Sequence, residues 1–142
     1  MNGLFLLARI AGEIVALSAS SIGSVVEIDD IAFVPRVPPH IAGLFALRSR
    51  VLTVIDTRAA LGLGGMIRND DLIAIVVDYD GHSYALLVEA VDDLIEAGIP
   101  DPCPVVASCW RRVAEGMIRH GEQTVIVVSP AALIAGPDAI AA

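Results

Sequence analysis

Four short turn signals divide this chain into paired apolar runs, and they restrict its fold more than any other feature. Ala11-Gly12, Arg48-Ser49-Arg50, Asp80-Gly81 and Gly121-Glu122 each sit between two stretches rich in Val, Ile, Leu and Ala. Turn residues between such runs mark a β-hairpin, because residues that tolerate positive φ make the tight connection. The spacing predicts strands over 4–10 and 13–17, 41–47 and 51–55, 72–77 and 83–88, and 113–120 and 123–128. A further strand is expected over 25–28, where Val25-Val26-Glu27-Ile28 follows Gly23, and another over 91–95. Between them, Ser18 and Ser20 can bond nearby backbone groups and start a turn or one helical loop at 18–21.

The connections carry their own chemistry. Pro35, Pro38 and Pro39 hold 31–39 extended, since residues before proline are pushed out of the helical region. Pro100, Pro102 and Pro104 stiffen 98–105 in the same way. Asp56 is a good N-cap for a short helix over 57–61, ended by Gly62. Ser129-Pro130 places an N-cap and a first-turn proline before a second helix over 131–135, which stops at Gly136-Pro137. The glycines and charges of 64–71 make that loop the expected seam between two halves, while 105–112 reads equally as helical turn or loop. About ten short strands with few helices favour an all-β barrel or sandwich. The halves also rhyme: each runs through hairpins, a proline-rich connector, another hairpin and a short capped helix, which favours two small barrels sharing a core.

At 142 residues the chain reads as one domain, long enough to bury a real core. That core is built from aliphatic side chains, since 56% of residues are hydrophobic and only 4% aromatic. The strongly apolar runs, such as 73–77 and 84–88, are far shorter than the roughly 20 residues a bilayer-spanning helix needs. The first residues lack the basic leader and small-residue cleavage site of a signal peptide, so an unprocessed, cytoplasmic chain is expected, with no direct membrane insertion. Cys103 and Cys109 do not make a disulfide framework and are expected to be reduced.

Charge is unevenly distributed. The formal net charge is −8 and the chain contains no Lys, which argues against nucleic acid as a partner. Residues 31–68 are the exception: Arg36, Arg48, Arg50, Arg58 and Arg68 face Asp56 alone, a net of +4 against −3 for 1–30 and −9 for 69–142.

Most chemistry-bearing residues are explained without chemistry. The acid pairs Asp29-Asp30, Asp70-Asp71 and Asp92-Asp93 read as solubilising groups near turns, since neighbours on an extended chain point apart and cannot converge on a metal or a reacting atom. His40, His82 and His120 are isolated, and Cys103 and Cys109 lack zinc-site spacing; Cys109 beside Trp110 reads as core or a lid over it. Gly62-Leu63-Gly64-Gly65 follows a helix instead of preceding one, so it is not a phosphate loop. Arg48 stands apart, with two readings: a solvated arginine at a hairpin tip, or an anchor for a protein partner beside an apolar groove walled by Ile22, Leu44 and Leu47.

One longer pattern joins these pieces. Val34-Pro35-Arg36-Val37-Pro38-Pro39-His40-Ile41-Ala42-Gly43, then Leu44-Phe45-Ala46-Leu47-Arg48-Ser49-Arg50-Val51-Leu52-Thr53-Val54-Ile55-Asp56-Thr57-Arg58, resembles the signature of CheW-type chemotaxis coupling proteins. That family shows P-x-x-P-x-x-(I/V)-x-G, then N-L-R-G, an apolar strand with P-V-I-D-L-R, and L-G. Further matches follow in order: Gly81 before a strand, Leu87-Val88-Glu89-Ala90-Val91 for L-V-D-x-V, Ile99-Pro100, and Gly116. Ala46 and Ser49 replace the Asn and Gly of N-L-R-G, Thr53 replaces the proline of P-V-I-D, the family's acidic residue near Ser24 is absent, and Val127-Val128-Ser129-Pro130 lacks the usual leucine-aspartate ending.

The resemblance implies an all-β fold of two intertwined SH3-like five-stranded β-barrels sharing a hydrophobic core, with short helices. It implies a non-catalytic adaptor without cofactor or metal, coupling the regulatory domain of the histidine kinase CheA to the cytoplasmic hairpin tip of chemoreceptors. The receptor groove it implies maps to Ile22, Ser24, Gly43, Arg48, Ala74 and Ala85. Two other readings stay open: a divergent coupling module for a kinase pathway outside chemotaxis, and a small β-barrel ligand-binding protein or enzyme with a closed polar pocket.

Overall fold

A computed structural model describes residues 3–28, 31–65, 72–98, 100, 110 and 113–136. Its strands are β1 (Gly3–Ile10), β2 (Glu13–Ser18), β3 (Ile22–Ile28), β4 (Ile41–Leu47), β5 (Arg50–Asp56), β6 (Leu72–Tyr79), β7 (His82–Val88), β8 (Ala90–Ala97), β9 (Ala114–His120) and β10 (Gln123–Val128). A 3-10 turn spans Ala19–Ser21, and the short helices α1 (Thr57–Ala60) and α2 (Pro130–Ala135) follow β5 and β10. The loop at 66–71, most of the connector 98–105, both cysteines, and the pairs Asp29-Asp30 and Asp70-Asp71 lie outside the described residues.

All four predicted hairpins form. Ala11 and Gly12 carry φ of 52° and 80°, and Asp80 and Gly81 carry 51° and 80°, so both turns use two left-handed residues. This twist matches that of the flanking strands, which is why two-residue hairpins adopt it. Both helix caps hold as well: the Ala59 N–H donates to Asp56 Oδ1 at 3.1 Å and the Ala132 N–H donates to Ser129 Oγ at 3.2 Å. Several strands outrun their sequence signals, β3 and β8 furthest. Glycine and serine hid the start of β3, which begins at Ile22, and the alternation in β8 continues to Ala97.

The strands form two five-stranded sheets, ordered β8-β1-β2-β10-β9 and β3-β6-β7-β5-β4. Each is an edge strand, a hairpin, a parallel junction and a second hairpin; the junctions are β2 with β10 and β5 with β7. The registers repeat between the two halves. Leu6 faces Leu17 as Ile75 faces Leu86, and Gly43 faces Val54 as Gly116 faces Val127. Both edge strands carry the same bulge, between Ile22 and Ser24 on β3 and between the β1 partners Leu6 and Ala8 of β8. Each sheet takes its first hairpin from one half of the chain and its remaining strands from the other, so the barrels are intertwined.

Both sheets close. β8 packs against β9 in the first. In the second, the chain just past β3 pairs with β4: the Ala32 N–H donates to the Leu44 carbonyl at 2.8 Å, and the Leu44 N–H donates to the Ala32 carbonyl at 2.9 Å. Gly43 permits this approach, since a Cβ there would lie 2.3 Å from the Ala32 carbonyl oxygen and its φ is 147°.

Three apolar clusters follow. Phe5, Leu7, Ile118 and Val125 fill the first barrel, and Leu52, Val54, Ala74, Ala85 and Leu87 fill the second. Between them Ile10, Leu17, Ile55, Ile75, Leu86, Trp110 and Leu133 form a shared core. Strands buried on both faces need no alternation, which explains the unbroken runs of β6 and β7. His40 also ends inside: its Nε2 bonds the Ile134 carbonyl at 2.8 Å, tying the start of β4 to α2.

Candidate functional site

The second sheet presents two neighbouring register rows on opposite faces. One runs Ser24–Val76–Ala85–Val54–Gly43 across all five strands. Its middle members Val76, Ala85 and Val54 belong to the interior of the second barrel. The next runs Ile22–Val77–Tyr84–Thr53–Leu44 and ends on Ala32. Val77 is buried in the shared core, and Ile22 and Tyr84 pack against it, whereas Thr53 and Leu44 emerge half-buried at the side.

From Leu44 and Thr53 this outer face continues to the next facing pair, Ala46 and Val51, both exposed. Val51 shows 63% of its surface, an unusual exposure for a valine inside a strand. Beyond that pair is the turn Arg48-Ser49, closed by Leu47 opposite Arg50. The result is an apolar strip that starts at the shared core and ends on a cation.

Arg48 is exposed and its φ is 57°. An L-residue with a Cβ in this left-handed region meets its own carbonyl, at a cost of roughly 1–2 kcal/mol. The corresponding turn of the other half puts Gly121 there, at φ 63°. Among the described residues Arg48 makes no ion pair, whereas Arg50 is bound: its Nη2 lies 3.1 Å from Asp78 Oδ1 and also donates to Ser83 Oγ, which in turn donates to Asp78 Oδ1 at 2.7 Å. The Ser83 hydroxyl first, and then the Arg50 charge, hold the Asp78 carboxyl below its ordinary range against the opposing effect of desolvation.

The six residues expected to line a groove therefore separate. Arg48 is at the exposed tip, Ile22 lies in the outward row, and Ser24 is exposed on the bulged edge strand. Gly43 is buried at the barrel closure, and Ala74 and Ala85 are 0% exposed inside the second barrel, where they present no surface to a partner. Sequence reasoning missed Thr53, Tyr84, Val51, Asp78 and Ser83. The Asp80-Gly81 turn already implied that Asp78 faces Ser83, but the parallel junction that brings Arg50 to them left no local signal. No cluster of three or more His, Cys, Asp or Glu side chains with metal-binding geometry occurs among the described residues. No helix among them is long and apolar enough to cross a membrane.

A pair of closed, intertwined five-stranded barrels, with an apolar strip and an exposed arginine on the outside, defines an all-β architecture of SH3-like barrels. The comparisons then give the family. The profile of the CheW-like domain matches residues 4–137, and the chain belongs to that family. It is similar to the chemotaxis protein CheW of Rhizobium meliloti (strain 1021), with 31% identity over 80 residues, 55% of this chain. That match spans 52% of the relative's length, so the chain matches about half of it. The fold is similar to the crystal structure of the scaffolding protein TtCheW from Thermoanaerobacter tengcongensis, with a TM-score of 0.81 and 25% identity over 92% of this chain and 86% of that one.

Proposed function

We propose that this chain is a non-catalytic, cytoplasmic coupling module of chemotaxis, which joins a chemoreceptor's cytoplasmic hairpin tip to the regulatory domain of the histidine kinase CheA. Membership of the CheW-like family supports the class, and the scaffolding role of the structurally similar TtCheW supports the assignment. The observation that carries the reading is Arg48, exposed at φ 57° at the end of the apolar strip formed by Leu44, Thr53, Ala46 and Val51. A helical receptor tip buries apolar side chains along such a strip, and an always-charged planar guanidinium fixes its register against a carboxylate or a helix C-terminus.

The test is co-purification of the full chain with a chemoreceptor signalling fragment and with CheA. Binding of both is expected, and failure to bind either overturns the reading. Arg48→Glu should weaken capture of the receptor fragment at least tenfold with the melting temperature unchanged, since the side chain is exposed. A collapse of melting temperature with unchanged binding would make Arg48 structural instead.

A further inference from the structure

We propose that Asp78 and Ser83 are positioning residues for Arg48: they clamp Arg50 at the base of the β4–β5 hairpin and so keep the turn in the left-handed form that aims Arg48 outward. The proposal rests on the reading of Arg48 as an anchor, and it concerns how that anchor is held.

Geometry comes first. Leu47 faces Arg50 and closes the two-residue turn, so Arg50 is the first fixed point after Arg48 and Ser49. In the strand order β6-β7-β5 its side chain reaches Ser83 on β7 and Asp78 on β6, and those two residues face each other across their own hairpin. One carboxylate oxygen of Asp78 accepts both the Arg50 guanidinium and the Ser83 hydroxyl, while Ser83 Oγ also accepts from Arg50. Three strands are thereby joined at one end of the barrel, beside the strained turn. A charge-assisted bond at that place opposes the rotation by which Arg48 would leave positive φ.

The molecule contains its own control. By register, the residues of the other half that correspond to Arg50, Asp78 and Ser83 are Gln123, Arg9 and Ile14. They form no such triad, and the turn they flank is led by Gly121, which adopts φ 63° without a Cβ clash. The β4–β5 turn, led by an arginine, has the clamp, and the β9–β10 turn, whose leading glycine adopts the conformation freely, has none.

The experiment is a mutant cycle on the full chain, read by amide hydrogen exchange at Leu47 and Arg50 and by the φ-dependent amide coupling of Arg48, with no partner present. Asp78→Asn and, separately, Ser83→Ala should raise exchange at the turn about two- to fivefold, the range an exposed ion pair supports, while exchange in the β9–β10 hairpin stays unchanged. In an Arg48→Gly background the same substitutions should leave the turn unaffected, because glycine keeps the conformation unaided. Equal effects in both backgrounds, or none in either, would overturn the clamp. A second arm measures capture of the receptor fragment, which Asp78→Asn should weaken by the same two- to fivefold. If the wild-type chain binds no fragment, the anchor reading fails while the exchange result still decides the clamp.

Discussion

The β4–β5 hairpin of the second sheet and the β9–β10 hairpin of the first share one backbone and carry different surfaces. Gly43 and Gly116 occupy the same place beside the same bulge, Leu52 and Val125 point into their barrels, and Asp56 and Ser129 cap the helices that follow. Even the tie beneath each cap is repeated: the Asp56 N–H donates to the His40 carbonyl and the Ser129 N–H to the Val113 carbonyl, both at 2.7 Å. Outside, the exposed facing pair is Ala46 and Val51 on one hairpin and Arg119 and Thr124 on the other, and the turn leader is Arg48 on one and Gly121 on the other. Residues that set the backbone are held in common, and the two hairpins differ in what they expose: apolar groups and an arginine at the turn on one, polar groups and a glycine on the other. The edge strands differ likewise: β3 carries Gly23-Ser24 where β8 carries Asp92-Asp93, on the same exposed positions.

Four measurements would break or sharpen this comparison. The largest effects belong to the shared core, where the halves should behave alike. Leu17 and Leu86 are equivalent and fully buried, so Leu17→Ala and Leu86→Ala should each lose about 2–5 kcal/mol in chemical denaturation, within a kcal/mol or so of one another. A much smaller loss at one of them would show that the two barrels do not share that core equally.

Gly43 comes next. A Cβ there meets the Ala32 carbonyl oxygen at 2.3 Å and Ile31 Cγ2 at 2.7 Å, so Gly43→Ala should cost about 3 kcal/mol or more. Gly12→Ala, with nothing within 4 Å, should cost only the roughly 1–2 kcal/mol of its positive φ. Equal losses at the two sites would mean that the closure of the second barrel relaxes freely.

The turn leaders test the functional difference itself. Arg48→Gly should stabilise the fold by about 0.5–1 kcal/mol while abolishing capture of the receptor fragment, and Gly121→Arg should destabilise it by a similar amount. A stabilised Arg48→Gly that still binds would remove the reason for tolerating the strain.

Smallest is the titration of Asp78. The Ser83 hydroxyl and the Arg50 charge hold its folded pKa below the ordinary carboxylate value, so its contribution is present above the unfolded value and is lost as pH falls through the lower folded one. Carbon-detected titration should place its midpoint below the ordinary carboxylate range, and Ser83→Ala should raise it. An unchanged midpoint in that variant would detach Ser83 from the clamp.

The hairpins were legible in the sequence because their information is local: a turn dipeptide and two apolar runs determine both strands and their register. The CheW-type signature around Arg48 was legible for the same reason. The parallel junctions were not, because Ile126 beside Val15 and Val54 beside Ala85 join residues far apart in the chain with no turn to announce them. The expected site suffered accordingly. Ala74 and Ala85 carry no mark of the face on which they lie, and a bulge at Ile22 to Ser24 moves neighbouring residues onto different rows. His40 shows the limit in another form, since its partner is the carbonyl of Ile134 and no side-chain pattern encodes that bond.

The intertwined strand order also dictates a timetable. The second sheet has all its strands once Val88 has been made, whereas the first, which owns the earliest hairpin, waits for β8, β9 and β10. During synthesis β2 therefore presents an open edge until β10 arrives, more than a hundred residues later, and pairings that distant are slow and exposed to aggregation. The first hairpin made is among the last to be enclosed.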